Sequence, residues 1–116
     1  MIHTNDELFS EVRENMRGGK GAVTITHLWQ KNEMNTAHCR MAARLTLPPG
    51  AGIGYHVHEN EEEIFYVISG TAELDDNGTV RKLFPGDTSL TGNGAGHSLA
   101  NAGQEDLVVM AVINSF

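Results

Sequence analysis

The rhythm of apolar and polar positions changes once along this chain, near Gly21. Before that point Leu8, Phe9, Val12 and Met16 recur at helical spacing. Thr4 followed three residues later by Glu7 reads as a capping box, Arg17 falls in the last turn, and Gly18-Gly19 supplies a stop. The pattern predicts a short amphipathic helix over residues 6–17, within an N-terminal arm of residues 1–19. Its apolar stripe needs something to cover, either the outer wall of the same domain or a partner subunit.

From residue 20 to 116 the pattern is that of short strands divided by turn residues, which predicts one all-β domain. Strands are expected over residues 22–30, 37–47, 64–69, 71–75, 79–84, 88–91, 97–101 and 107–113. Pro48-Pro49-Gly50 ends the second of these, because proline cannot donate to a ladder. Asn77-Gly78 between two strands predicts a hairpin whose tight turn needs positive φ at both central residues. Pro85-Gly86-Asp87 marks another turn. Many short strands at this spacing predict a sandwich or a barrel.

Within residues 37–47 the odd positions Ala37, Cys39, Met41, Ala43, Leu45 and Leu47 form an apolar face. The even positions His38, Arg40, Ala42, Arg44 and Thr46 form a polar one, which either meets solvent or lines the mouth of a cavity. In the second case Arg40 or Arg44 would grip a carboxylate or phosphate through a bidentate guanidinium.

Charge and composition narrow the partners. The chain has 116 residues, 40% of them hydrophobic, enough for one domain with its own core. A formal net charge of −7 argues against a nucleic-acid partner, which would need a basic patch. It does not argue against an anionic ligand, since a metal and an arginine invert the field locally. No apolar run is long enough for a membrane span and no signal-peptide layout opens the chain, so a cytoplasmic location is expected. Cys39 is the single cysteine and cannot form an internal disulfide.

The chemistry lies in two blocks. His56 and His58, two apart, can share a strand face, Glu63 starts the next strand, and His97 comes from the far block. Imidazole nitrogens with a carboxylate suit one divalent ion: zinc, iron, nickel, cobalt or manganese. Gly50, Gly52 and Gly54 allow tight bending beside these ligands. Glu59, Glu61 and Glu62 read as a solvated acidic rim, and Tyr55 could offer its hydroxyl as acid or base next to His56.

The two blocks resemble the motifs of the cupin superfamily. The first runs Gly50, five residues, His56-Val57-His58, four residues, Glu63, six residues, Gly70. The second runs Gly86, five residues, Gly92 where proline is usual, then Gly94, two residues, His97, three residues, Asn101. Replacing that proline loosens a turn and leaves the ligands untouched. The resemblance spans roughly residues 37–113. It implies a double-stranded β-helix (jelly-roll) barrel with His56, His58, Glu63 and His97 holding the metal. It also implies action on a small oxygen-rich molecule, as a dioxygenase, isomerase, decarboxylase or lyase, or else non-catalytic ligand binding or sensing. A homodimer is expected, because a small barrel leaves sheet faces and edges to be covered.

Overall fold

In the computed structural model, which describes residues 1–116, ten strands follow one another and the only helical segments are three single 3-10 turns. The strands are β1 (Phe9–Glu14), β2 (Ala22–Trp29), β3 (Cys39–Leu47), β4 (Gly52–Val57), β5 (Glu61–Ser69), β6 (Ala72–Asp76), β7 (Thr79–Leu83), β8 (Thr88–Gly92), β9 (Gly96–Asn101) and β10 (Leu107–Ser115). They form a six-stranded sheet ordered β1-β2-β3-β10-β5-β8 and a four-stranded sheet ordered β4-β9-β6-β7. All strand pairs are antiparallel. The expected all-β jelly-roll is present as two facing antiparallel sheets, and the barrel is corrected only in that their backbone ladders do not join into one closed ring. No helix is long and apolar enough to cross a membrane.

The expected helix over residues 6–17 is a second correction. Thr4 and Glu7 do pair, with the Thr4 hydroxyl donating to Glu7 Oε1 at 2.7 Å, but they close only the 3-10 turn Asn5–Glu7. The chain then extends as β1 and pairs along β2 from Phe9↔His27 to Glu14↔Ala22. Phe9 and Val12 suit a strand as well as a helix, and a ready-made sheet edge decides between them. The connection back to β2 turns on Asn15, Arg17 and Gly18, with φ of 51°, 54° and 82°. That turn docks on β4: Gly52 N–H donates to Lys20 O at 2.8 Å, and a Cβ on Gly54 would run into the Arg17 carbonyl.

The Asn-Gly hairpin forms as expected, with Asn77 at φ 49°, Gly78 at φ 99°, and Asp76 opposite Thr79. Inward side chains from both sheets build the core, among them Ile25, Leu45, Leu47, Phe65, Leu74, Leu99, Leu107 and Val109. Strand register divides the interior into two ends. At one end Leu47 faces Leu107, and Asn101 fixes the nearby chain by donating to the carbonyls of Leu47 and Glu105. At the other end Met41 faces Ile113, which in turn lies beside Glu63. The polar cluster lies at that second end.

Candidate metal centre

Alternation along β5 turns Glu61, Glu63, Phe65 and Val67 to the inner side, and Ile64, Tyr66 and Ile68 to the outer one. On β9 the inner residues are His97, Leu99 and Asn101. Strand β4 needs an extra device. Ile53 pairs Leu99 and His56 pairs His97, so three steps on β4 match two on β9. The resulting bulge brings both Ile53 and His56 inward. His58 lies just past β4, its backbone pinned by hydrogen bonds with Ala95 and Gly94.

These elements bring together the four expected ligands. His58 Nε2 lies 3.0 Å from His97 Nε2 and 3.1 Å from Glu63 Oε1. His97 Nε2 lies 3.0 Å from Glu63 Oε1 and 3.2 Å from His56 Nε2. His56 Nε2 and Glu63 Oε1 are 4.0 Å apart. Donors about 2.1 Å from one ion lie about 3.0 Å apart at right angles and about 4.2 Å apart when opposite. The separations fit one ion held by all four residues.

Tautomers strengthen the fit. His56 donates from Nδ1 to the Gly54 carbonyl at 2.8 Å, and His58 donates from Nδ1 to Glu61 Oε1 at 2.8 Å. With Nδ1 carrying the proton, the Nε2 of each neutral ring would be free to offer a lone pair to a bound ion. Three imidazoles and a carboxylate converging in a buried site could hold one shared cation. His97 is fully buried and Glu63 is 4% exposed. Phe65 stacks flat on the His97 ring, centroids 4.8 Å apart, and fixes its plane.

Burial depresses His56 below its ordinary value, whereas the hydrogen bond His58 donates to Glu63 raises His58. Burial alone would raise Glu63, but hydrogen bonds from His58 and His97 outweigh it and hold the carboxyl low. Glu61 is pushed down to about 2, first by its hydrogen bond with Arg40.

Glu61 was expected on a solvated rim, yet its side chain is only 17% exposed and orients His58. Arg40 clamps it from the other side, through Nε at 2.7 Å and Nη2 at 3.0 Å. Two sequence features pointed to this role: Glu61 is two residues before Glu63 on one strand, hence on the same face, and three after His58.

A cavity of ≈ 140 Å³ opens in front of the cluster. Its lining includes His56, His58 and Glu63, the apolar Ile25, Met41 and Ile53, and three arginines: Arg13, Arg17 and Arg40. Arg40 reaches it because Ile113 pairs Met41 while Asn114 pairs Cys39, leaving Arg40 in a bulge. Arg44 keeps the regular alternation, donates to Asn5 Oδ1 at 2.9 Å, and does not line the cavity. Arg13 and Arg17 were hidden by the helical reading of their segment. Tyr55 lies on the outer face of β4, 50% exposed, where its ring covers Gly96. Adjacent to His56 on the strand, Tyr55 faces the other way, away from the metal cluster.

Comparison with known proteins agrees with this geometry. The "Oxalate-binding protein" of Thermotoga maritima is 42% identical over 113 residues, covering 97% of this chain and 93% of that protein. A solved structure of a protein described as a predicted oxalate decarboxylase, also from Thermotoga maritima, superposes with a TM-score of 0.94 at 40% identity over 100% of both chains. A Klebsiella pneumoniae protein with a double-stranded β-helix domain superposes with a TM-score of 0.72 at 26% identity, over 98% of this chain and 89% of that one. The family model described as "Cupin domain" matches residues 43–113, more than half of the sequence. By its motifs, its two facing sheets and these relatives, the chain belongs to the cupin family.

Proposed function

We propose that His56, His58, Glu63 and His97 hold one divalent metal ion, and that the cavity in front of it takes a short dicarboxylate of the oxalate type. The reading rests on one observation: a small cavity with His56, His58 and Glu63 of the four-residue cluster on its wall and guanidiniums along its lining. The names of the two Thermotoga relatives point to the same ligand class. A bound divalent ion would supply a positive charge and Lewis-acid polarisation for carboxylate oxygens.

The chain's own residues favour binding over turnover. Outside the cluster and the arginines, the only titratable side chain lining the cavity is His27, which is engaged by Glu11 at 3.0 Å. Splitting oxalate into carbon dioxide and formate requires a proton at the new C–H bond, and no uncommitted carboxyl, phenol or imidazole lines the cavity to deliver it. Ile25, Ile53 and Met41 supply apolar parts of the cavity lining.

The test is calorimetric titration of manganese- and zinc-loaded protein with oxalate, malonate and succinate, together with a formate assay. Saturable oxalate binding that disappears on metal removal is expected, without formate release. Equal binding by metal-free protein would refute the reading, and steady formate production would replace it with the decarboxylase one. We further propose a homodimer, supported by the exposed apolar residues Ile64, Tyr66, Ile68 and Leu90 on β5 and β8 of the large sheet. Light scattering giving the monomer mass at micromolar concentration would remove that proposal.

A further inference from the structure

Three arginines line the cavity, and they are not equivalent. Arg40 is committed to Glu61 by two hydrogen bonds. Arg13 is paired with Glu11, Nε to Oε1 at 2.8 Å. Arg17 has no carboxylate partner.

Arg17 is also held in an unusual backbone conformation. Its φ of 54° and ψ of 28° place it in the left-handed region, which suits glycine and asparagine and disfavours a long side chain. Gly18 follows it directly at φ 82°, so two consecutive residues of this turn are left-handed and only the second is a glycine. The conformation persists because the Arg17 carbonyl lies against Gly54, where no Cβ would fit. Gly54 in turn accepts the Nδ1–H of His56. The turn that presents Arg17 is thereby docked on the strand that presents a metal donor. Unfavourable backbone geometry maintained beside a cavity marks a position where the side chain has a task.

Charge defines that task. Glu63 and a divalent ion together leave one positive charge, and a dicarboxylate brings two negative ones. One further cation is needed for neutrality, and Arg17 is the lining guanidinium without a carboxylate partner. The geometry points to Arg17 as the specificity-determining residue that receives the metal-distal carboxylate of a short dianion and so discriminates dianions from monoanions. This inference rests on the metal-dependent dicarboxylate reading given above.

The experiment compares metal-loaded wild type, Arg17→Asn and Arg17→Lys by calorimetry, with oxalate as the dianion probe and formate as the monoanion probe. Metal content and the melting temperature of the ligand-free protein are measured alongside. Asparagine tolerates the left-handed region better than arginine. Arg17→Asn should therefore keep its metal and melt no lower than wild type. It should bind oxalate about ten- to a hundredfold more weakly, the loss of a charge-assisted pair, while formate binding stays unchanged. Arg17→Lys should recover part of the oxalate affinity by restoring the charge without the planar fork.

Oxalate bound by Arg17→Asn as tightly as by wild type would overturn the assignment and leave the metal-site reading standing. An equal loss for formate and oxalate, or a lower melting temperature with loss of metal, would show a structural role and overturn it too. Wild-type protein that binds no dicarboxylate at all would overturn both readings together.

Discussion

Replacing Glu61 by glutamine tests how much of the metal site lies outside the four donors. The carboxylate accepts His58 Nδ1–H at 2.8 Å and two Arg40 bonds at 2.7 and 3.0 Å. Glutamine keeps one carbonyl oxygen for His58 but places an NH₂ group against the Arg40 donors and removes the negative charge. His58 loses both the anchor for its ring plane and the anion that raises its basicity. Loss of such an outer-shell carboxylate weakens metal binding about 10- to 100-fold, equivalent to about 1.4–2.7 kcal/mol. Glu61 is largely shielded, so the upper part of that range applies, whereas Arg40→Ala, at a more exposed group, should fall at the lower end. Competition against a chromophoric chelator at fixed pH measures the affinity directly. Glu62→Gln is the control, since its side chain is on the opposite parity of β5. Wild-type affinity in both Glu61→Gln and Glu61→Ala would refute the reasoning, because His58 would then be oriented by its own backbone alone.

Glu61 also titrates far below its ordinary 4.5, at about 2, so its contribution to stability is full above pH 4.5 and lost as pH falls toward 2. Acid titration of the metal-free protein, followed by circular dichroism, should show a shallower loss of structure across that window in Glu61→Gln than in wild type. Metal occupancy should fall on acidification, because His56, His58 and His97 must be neutral to bind; elemental analysis after dialysis at pH 7 and pH 5 checks this. Phe65→Ala removes the ring stacked on His97 from a position 1% exposed and should cost about 3–5 kcal/mol in urea unfolding, with weaker metal binding. Gly54→Ala drives a methyl against the Arg17 carbonyl and should lower both the melting temperature and dianion affinity, read by scanning calorimetry and titration.

The four-residue cluster was legible because it depends on local parity and spacing, which a sequence displays. His56, His58, Glu63 and His97 converge as their two blocks implied, and Asn77-Gly78 makes the hairpin its backbone requires. What the sequence concealed depends on insertions into that parity. One extra residue on β4 lets Ile53 and His56 both face inward, and one on β3 turns Arg40 to the cavity while Arg44 stays outside. Alternation rules treat each strand as regular, so they cannot locate such bulges. The segment of residues 6–17 failed for a different reason. Its capping pair is real but local, and the free edge of β2, a partner distant in sequence, decides its conformation. Arg13 and Arg17 were lost with that segment, since a residue assigned to an outer helix is not sought in a cavity.

The placement of the arginines has a kinetic consequence. His97 is fully buried and Glu63 nearly so, and the cavity that exposes His56, His58 and Glu63 is also lined by Arg13, Arg17 and Arg40. A guanidinium that draws a dianion inward opposes a dication travelling the same route. The folded protein should thus take up metal slowly and release it slowly, despite an overall charge of −7 that gathers cations around the molecule. Two of these arginines belong to the β1–β2 ribbon. If these arginines oppose the ion, loading should be faster before that ribbon docks on β4, and metal added during refolding should fill the site more readily than metal added to the folded protein.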